Sequence, residues 1–517
     1  MSRPTLLAGT LLLALIAVLL CLIPKPENDL FFELRTGTDI LDFHRLPHFD
    51  TYSWPNRGTR WDVPEWLAFA VYALSFRGGG FLGTWLVLAA LTIGAAWVVW
   101  FRLVRVTGPI WAFFLSTLML LAMKDTLQER PYAFTYLLLA VSLCVLLSAR
   151  EGRPTLLLWL PPLCILWTNL HQGVLSLVAL LLVYALGDAL AAIWKRQSGK
   201  SAWRMLSTAA VSACAVLVSP YGWRVYWNVL ITLRDRNLMA NVTEWNPVTA
   251  LPLTQLEPFL LLAALAFGSL ALSQKRNLAD TLAVAALFGQ GLLHARNIPL
   301  FAIGGTLLMA PHFASALPRL RHALGLPPTA AYRPFLLSVF ALLLVAAVGL
   351  LAFVNLHKSL EPRGGSPQGI GEAVAGLQGY PEEACAFMDA EKFPTNLRLL
   401  NGFETGGFLL WRRPEQPVFV DGRLDVYVGK TFDDMLVLAR APGSPPWAAL
   451  VKSYDFDCVV TTHKHEADAF AAAPSWQLVY RDPRRPNRPR FRILLRRRPE
   501  FAGLIARCLQ DGQVSTN

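Results

Sequence analysis

The chain has 517 residues, of which 54% are hydrophobic and only 16% are charged. Because a soluble globular protein has about 45–50% apolar and about 25% charged residues, this composition excludes an ordinary soluble enzyme and a disordered chain. The net charge is +12, and the interval from Arg481 to Glu500 is especially rich in arginine. The seven cysteines form no CxxC motif and no Cys/His cluster, so neither a zinc site nor a disulfide framework is indicated.

Apolar segments of membrane-spanning length recur through the first two-thirds of the chain. A helix needs about 20 residues to cross the hydrocarbon core of a bilayer. On this basis we predict an α-helical polytopic membrane protein. Its eleven predicted spans, several of them short, lie at residues 5–23, 81–101, 109–123, 131–148, 155–168, 173–194, 205–219, 256–273, 279–293, 298–316 and 335–354.

Lysine and arginine are concentrated in alternate connections between these segments. Since basic residues favour the cytoplasmic side, the N-terminus is predicted inside and everything after Val354 outside, at the periplasmic face of a bacterial inner membrane. The domain prediction is a transmembrane domain over 1–354 with a first periplasmic loop at 24–80, a linker at 355–375 and a periplasmic domain at 376–517. In this topology, nearly all of the polar side chains that could act in catalysis or ligand binding lie on the outer face.

The first outside loop combines an acidic segment with an apolar repeat. Apolar residues recur at helical spacing from Trp66 to Leu74, which predicts an amphipathic helix on the membrane surface before the second span. Asp29 lies a few residues beyond the first span, where a carboxylate is costly unless it is used or paired. It is either a general base, or a metal ligand together with Glu27, or, with Glu33, a first-turn acid that stabilises the next helix.

The layout of this loop resembles the GT-C superfamily of integral-membrane glycosyltransferases, which use polyprenyl-phosphate or polyprenyl-diphosphate sugars. A group of bacterial multispanning proteins shows a similar pattern, which is carried here by Asp29, Leu30, Phe31, Phe32, Gly37, Pro47, Asp50, Ser53, Glu65, Trp66 and Leu67. The resemblance implies that Asp29 is the catalytic base, with Glu27 and Glu33 beside it and Asp50 and Glu65 in support. If a divalent cation such as Mg²⁺ or Mn²⁺ takes part, Glu27 and Asp29 are its implied ligands.

Three residues in later outside loops suit the phosphate of a lipid-linked donor. The Arg130 guanidinium has the shape to grip a phosphate, although Arg130 is equally suited to reach the interface and pair with Glu129. His171 either orients a phosphate or acceptor, or belongs to a polar hairpin turn. The turn at residues 294–297 resembles the arginine-containing turn near the lipid phosphate of such transferases, which implies phosphate binding by Arg296.

The residues after 376 alternate between short apolar runs and helical patterns. Strands are predicted at 408–411, 418–421, 457–461, 478–480 and 491–495, with helices near 430–440, 446–454 and 464–472. This alternation predicts a small α/β domain built on one sheet. The arginine-rich interval 481–498 either holds this domain on anionic headgroups or forms the charged face of edge strands.

Two polar segments complete the candidate site. The Gly-rich segment 401–408 is predicted as a turn before a strand. In location it resembles an outer-domain segment of oligosaccharyltransferase catalytic subunits, which implies acceptor binding by Glu404. Asp421, Arg423 and Asp425 follow the next predicted strand. They either complete a site that faces the membrane or form a strand-end turn with internal Asp–Arg pairing.

These features favour a glycosyltransferase that moves a sugar from a polyprenyl-linked donor to a lipid, glycan or protein acceptor at the periplasmic face. The main alternative is a transporter or flippase, which would place charges in mid-membrane, whereas most charges here lie at span ends. A non-catalytic assembly protein is a third hypothesis. The expected partners are the bilayer, the donor and the acceptor. Nucleic acid is not expected, since the predicted compartment contains none.

Overall fold

A computed structural model describes the chain except for residues 1–2, 24–27, 235–240, 242–244, 276, 324–333, 360–376, 483–489 and 511–517. Glu27 and most of the predicted linker therefore lie outside the described residues. The chain divides into two compact units. The first unit contains Met1–Pro24, Leu82–Trp227 and Met239–Pro367, and the second contains Lys25–Phe81, Asn228–Leu238 and Gln368–Asn517.

Every one of the eleven predicted spans is helical in the structure. Among the described residues, the helices up to residue 359 are α1 (Arg3–Cys21), α2 (Asn28–Phe43), α3 (Trp66–Thr107), α4 (Pro109–Met123), α5 (Tyr132–Arg150), α6 (Leu160–Leu170), α7 (Val174–Lys195), α8 (Lys200–Val216), α9 (Arg224–Arg234), α10 (Leu253–Leu272), α11 (Leu278–Leu293), α12 (Ile298–Ala323) and α13 (Pro334–Ser359). Six helical stretches of the described chain are long and apolar enough to cross a membrane. Of the remaining predicted spans, the last lies in the 26-residue helix α13, and the others correspond to shorter helices.

The first unit is a helical bundle in which α7 packs against α8 and α11, and α12 packs against α10 and α11. Its interior contains large side chains that are fully buried, among them Trp100, Trp167 and Tyr184. A helix that buries apolar surface on several sides is typical of the interior of a multi-helix membrane protein. The prediction of an α-helical polytopic membrane protein is confirmed.

The second unit holds a small mixed sheet surrounded by helices. Its remaining elements are α14 (Glu382–Ala390), β1 (Leu399–Asn401), α15 (Phe403–Arg412), α16 (Leu424–Tyr427), α17 (Lys430–Arg440), α18 (Pro445–Tyr454), β2 (Cys458–Thr461), α19 (Lys464–Ala471), β3 (Trp476–Arg481), β4 (Arg492–Arg496) and α20 (Ala502–Gln510). The strand order is β1-β2-β4-β3. β1 and β2 are parallel, and the other two pairs are antiparallel. The predicted small α/β domain is confirmed.

Two strand predictions in this unit are wrong. Residues 408–411 belong to helix α15, so the Gly-rich segment before them is the start of a helix and not a turn before a strand. Residues 418–421 form only one isolated bridge, between Val418 and Ser53. A short apolar run fits a buried helix as well as a strand, because four residues are too few to show a period. Strand β1 was missed because its three residues are all buried and do not alternate.

The first loop belongs to the same compact unit as the sheet. The ring of Phe31 in α2 lies 5.0 Å from that of Phe408 in α15 and 4.6 Å from that of Tyr380. A Cβ added to Gly407 would stand only 2.7 Å from the backbone oxygen of Asn28, so a glycine lets α15 approach α2 closely. The first loop and the C-terminal region therefore share one aromatic core.

The helix predicted in the first loop forms the first part of α3. The φ and ψ angles are non-helical at Gly79 and Gly80, which separates this part from the long apolar remainder of α3. Phe69 and Tyr72 are buried, while Leu74 is 63% exposed, so the apolar stripe only partly faces the core. The location of this helix on a membrane surface stays a prediction, as do the domain boundaries.

Some arginines of the interval 481–498 form ion pairs within the second unit. Arg398, Arg496 and Arg498 all pair with Asp455, and Arg498 also lies 2.8 Å from Asp457. Arg496 and Arg498, from the end of β4, are thereby connected to the residues just before β2, and Arg398, which lies outside the interval and directly before β1, joins them. Neither the headgroup hypothesis nor the edge-strand hypothesis anticipated this pairing, which neutralises part of the positive charge. Residues 483–489 of the interval lie outside the described residues.

Candidate functional site

The acidic end of helix α2 meets the loop that precedes α16. Asp29 lies in the first turn of α2, where its charge favours the helix dipole. A Cβ added to Gly422 would stand 2.9 Å from Phe32 Cε1 and 3.1 Å from Asp29 Cγ, and still closer to Asp29 Oδ1. Only glycine fits here without a shift of neighbouring atoms. The Asp29 carboxylate is thus placed directly against the turn between Asp421 and Arg423.

Arg423 is the centre of a buried ion-pair network at this turn. Its Nη2 lies 2.6 Å from Asp421 Oδ2 and its Nε lies 2.8 Å from Asp421 Oδ1, which is a bidentate arrangement. Its Nη1 lies 2.6 Å from Asp50 Oδ1, and Tyr427 donates a hydrogen bond to Asp421 Oδ2. The internal Asp–Arg pairing that was one of the two alternatives is present. It also connects the first loop to the C-terminal region.

The environment of Arg423 keeps it charged. Burial acts to lower the pKa of its guanidinium, but Asp421, Tyr427 and Asp50 outweigh that effect and hold the pKa well above its ordinary value. The rings of Trp61 and Tyr52 lie 4.5 and 4.9 Å from the guanidinium carbon, which adds cation–π contacts. With two carboxylates satisfied by one arginine, Asp50 and Asp421 are structural supports for the turn beside Asp29.

The other predicted acids lie at different places in this unit. Glu33 is one helical turn after Asp29 and is buried. Glu65 is half-buried directly before α3, while Glu404 and Asp425 are exposed at the starts of α15 and α16. Within the described residues no group of three His, Cys, Asp or Glu side chains is arranged to hold a metal ion. A cation site on Glu27 and Asp29 stays a prediction.

The three predicted phosphate ligands come together in the first unit. Arg130 precedes α5, His171 follows α6, and Arg296 lies in the single turn between α11 and α12. Burial, followed by the charges of Arg296 and Arg130, holds the pKa of His171 well below its ordinary value. The positive charges of Arg130 and Arg296 therefore both act on the neutral imidazole of His171, where α5, α6 and α12 begin or end.

Hydrogen bonds define which nitrogen of His171 carries the proton. The backbone N–H of Gly173 donates to Nδ1 at 2.9 Å, and Thr135 Oγ1 lies 2.8 Å from the same atom. Trp167 Nε1 donates to Thr135 Oγ1, so the threonine hydroxyl directs its own hydrogen to Nδ1. Because Nδ1 is an acceptor, the proton of the neutral imidazole resides on Nε2. His171 can therefore donate a hydrogen bond from Nε2, close to the charges of Arg130 and Arg296.

Aromatic rings position both arginines. The guanidinium carbon of Arg296 lies 4.4 Å from the ring of Trp245, and that of Arg130 lies 5.8 Å from the ring of Tyr132. His294 Nδ1 lies 2.8 Å from the backbone oxygen of Trp245, which anchors this ring to the Arg296 turn. Such stacking keeps a guanidinium plane oriented, and a planar guanidinium is suited to bidentate contact with a phosphate.

Sequence reasoning missed the residues that support these two clusters. Gly422 was passed over because close approach to Asp29 depends on a contact between residues almost 400 positions apart. Thr135 and Trp167 lack a sequence signal because each lies within an apolar run. The Tyr427 side chain was detectable in principle, since it falls one helical turn after Arg423.

No protein-family model matches the chain, and no curated protein matches it in sequence. Solved structures are similar in fold. The oligosaccharyltransferase of Archaeoglobus fulgidus, solved with a tethered acceptor peptide, gives a TM-score of 0.57 at 12% identity over 89% of this chain and 69% of its own. ArnT from Cupriavidus metallidurans, solved with bound undecaprenyl phosphate, gives 0.53 at 14% identity over 95% of this chain and 97% of its own. In fold, the chain is therefore similar to these two membrane proteins.

Proposed function

We propose that the protein transfers a sugar from a polyprenyl-phosphate or polyprenyl-diphosphate donor to a lipid, glycan or protein acceptor at the periplasmic face of a bacterial inner membrane. The observation that carries this proposal is the convergence of Arg130 and Arg296 on a neutral His171. Two guanidinium groups and an N–H donor are suited to a phosphate. The fold supports the same chemistry, since ArnT was solved with undecaprenyl phosphate bound.

The arginine cluster acts on the leaving group. Displacement at the anomeric carbon breaks its bond to a phosphate oxygen, and negative charge grows on that phosphate as the bond lengthens. Arg296 and Arg130 stabilise this charge in the transition state, and His171 Nε2–H donates to one of its oxygens. A site organised in advance by Trp245 and Tyr132 needs little rearrangement during the reaction.

The acid cluster acts on the acceptor. Asp29 takes the proton of the acceptor hydroxyl as its oxygen bonds to the anomeric carbon. Arg423, Asp421 and Asp50 hold the turn against which the Asp29 carboxylate rests. Glu33 is proposed to work beside Asp29, and Glu65 and Glu404 to support acceptor binding. Glu27 and Asp29 would hold Mg²⁺ or Mn²⁺ if the reaction uses one, and the cation would then help to neutralise phosphate charge.

Analysis of the lipids that remain bound to the purified protein tests this proposal. We expect mass spectrometry to find a polyprenyl-phosphate sugar on the wild-type protein. The double variant R130Q/R296Q should carry much less of it, while R224Q, a control that removes a different arginine, should carry the normal amount. The absence of any polyprenyl lipid from the wild-type protein would contradict the proposal and favour an assembly role.

A transfer assay separates the enzyme from the flippase alternative. Membrane vesicles that contain the protein receive a labelled form of the lipid donor identified above, together with a cell-envelope extract as the source of acceptor. A transferase moves the label from the lipid fraction to a glycan, protein or second lipid. A flippase changes only the side of the membrane on which the labelled donor is found.

A further inference from the structure

A second charged cluster lies at the other ends of the helices that carry the arginine cluster. Arg130 precedes the first residue of α5, and Arg150 is its last residue. Helix α5 has 19 residues, which gives a length of about 28 Å, close to the thickness of the hydrocarbon core. His171 and Asp188 are separated in a similar way along α7, and Arg296 and Asp280 along α11. The two clusters therefore belong to opposite ends of one bundle.

The second cluster surrounds a cavity of about 550 Å³ within the first unit. Volumes of about 300–1,000 Å³ are typical of ligand-binding cavities. Three basic side chains line it: Arg150 from α5, Arg204 from α8 and Lys275 from the connection between α10 and α11. Apolar residues such as Leu157 and Pro311 contribute other parts of the wall.

The acidic groups at this end already have partners in the protein. Asp188 accepts two hydrogen bonds from Arg150, at 2.7 and 3.0 Å, and another from Ser201 at 2.6 Å. Glu151 pairs with Arg102. The two hydrogen bonds to Asp188 hold the Arg150 guanidinium in one orientation at the cavity wall.

Asp280 is likewise enclosed by polar partners. It accepts a hydrogen bond from Tyr184 at 2.8 Å, and His312 Nε2 lies 3.0 Å from its other oxygen. By contrast, Arg204 and Lys275 are exposed and form no ion pair within the described part of the chain. Glu151 and Asp280 line the same cavity, but their ion pairs are with Arg102 and His312. Arg204 and Lys275 are therefore two cations of the cavity wall with no carboxylate partner among the described residues.

We propose that this cavity binds the phosphate of an anionic phospholipid headgroup from the leaflet opposite the arginine cluster. Basic pockets between transmembrane helices are suited to such headgroups. The cavity is much larger than a phosphate ion alone, and its apolar wall can accept the glycerol and the first carbons of the acyl chains. This binding site is separate from the proposed transfer reaction and does not depend on it.

Native mass spectrometry of the full-length protein with added phosphatidylglycerol or phosphatidylcholine tests the proposal. We expect phosphatidylglycerol to bind more tightly than phosphatidylcholine. In R204Q/K275Q the Kd for phosphatidylglycerol should rise by about tenfold or more, because charge-assisted hydrogen bonds to the phosphate are lost. The matched control R105Q/R196Q removes the same charge from exposed positions outside the cavity lining and should bind normally.

Two further measurements keep the test decisive. The conservative variant R204K/K275R should retain binding, which separates loss of charge from loss of folding. Inorganic phosphate and glycerol 3-phosphate should compete only weakly with the lipid, whereas competition at equal concentration would overturn the assignment to a lipid headgroup. Unchanged phosphatidylglycerol binding in R204Q/K275Q would overturn the proposed site itself.

Discussion

The carboxylate of Asp29 lies directly against the backbone of Gly422, although the two residues are almost 400 positions apart in the chain. The contact joins the start of α2 to the turn held by Arg423, Asp421 and Asp50. A side chain that is proposed to accept a proton is thereby supported by a network that is itself fully buried. Such support matters because a catalytic group must be held in a narrow range of geometry.

Replacement of Gly422 by alanine should disturb Asp29 with little effect on the rest of the unit. The added methyl group would overlap Asp29 Oδ1 and stand 2.9 Å from Phe32 Cε1, so the carboxylate must turn away. We expect a loss of transfer rate of about 100-fold, the size of effect that a displacement near 1 Å can cause. The rate is measured with the labelled donor in the vesicle assay.

Gly503→Ala is the matched control, because a Cβ added there meets no atom within 4 Å. It should leave the rate unchanged and slightly raise the thermal stability of helix α20. A normal rate in Gly422→Ala would show that the position of the Asp29 carboxylate is unimportant for transfer.

Removal of Arg423 should destabilise the second unit strongly. In Arg423→Met the carboxylates of Asp50 and Asp421 stay buried without their cation, which costs about 3–5 kcal/mol in unfolding free energy. Urea unfolding of the detergent-purified protein measures this loss. Neutralising the two acids as well, in R423M/D50N/D421N, should recover part of the stability.

The control for this variant is Arg507→Met. The Arg507 side chain is 56% exposed, and its Nε lies 3.8 Å from the Glu391 carboxylate, which is itself 10% exposed. Because the arginine is largely in solvent and the separation is long, we expect the pair to contribute about 0–1 kcal/mol. Equal losses for Arg423→Met and Arg507→Met would contradict a structural role for the buried network.

Two substitutions at His171 separate phosphate binding from support of the loop. In His171→Gln the side-chain amide nitrogen takes the place of Nε2–H, so binding of the donor should be largely retained. In His171→Asn the side-chain oxygen replaces the Nδ1 acceptor but the Nε2 donor is lost, and the KM for the donor should rise about tenfold. A higher KM for His171→Gln than for His171→Asn would mean that His171 acts only by accepting hydrogen bonds from Gly173 and Thr135.

The buried carboxyl group of Glu466 should make the second unit more stable at low pH. Burial is the main cause that raises the pKa of Glu466, with Glu404 acting in the same direction and a Thr461 hydrogen bond opposing it. Because the folded-state pKa exceeds that of the unfolded chain, this stabilisation is complete below the ordinary carboxyl pKa of 4.5. It is lost as the pH rises through the folded-state value.

Thermal unfolding of Glu466→Gln measures this effect. The variant should have a higher Tm than the wild type at pH 8, and the difference should shrink towards pH 4. Lys464→Gln, which alters an exposed side chain on the same helix, serves as the control. A Tm difference that does not change with pH would rule out the titration of Glu466 as the cause.

The membrane part could be predicted closely from the sequence, whereas the packing of distant segments could not. Apolar runs near 20 residues must be buried in lipid or protein, so the position of α4 was predicted to the residue. The contact of Phe31 with Phe408 depends on chain segments separated by almost 380 residues, and local patterns do not report it. Helix α15 was misread because its apolar residues are too few to show a helical period.

The residues of the candidate site could be selected from the sequence by their type, but the contacts between them could not be predicted. Arg130 and His171 were predicted as polar residues of outside loops, and Arg296 because it stands alone between apolar spans; in the structure the charges of both arginines act on His171. For Asp421 and Arg423 the internal pairing is present, and a site that faces the membrane stays a prediction. The two residues pair internally, and the turn they form lies against Asp29. Sequence patterns indicated where charge occurs, while the fold determines which charges meet.

The role of Asp29 is tested most directly by analysing lipid-linked sugars and surface glycans in source cells that carry Asp29→Asn. The control is Asp42→Asn, which alters an exposed acid on the same helix that pairs with Arg77. We predict that Asp29→Asn cells accumulate the polyprenyl-linked sugar and lose the glycan modification, while Asp42→Asn cells match the wild type. Unchanged glycans and lipid-linked sugars in cells that express normal amounts of the Asp29→Asn protein would contradict the assignment of Asp29 as the catalytic base.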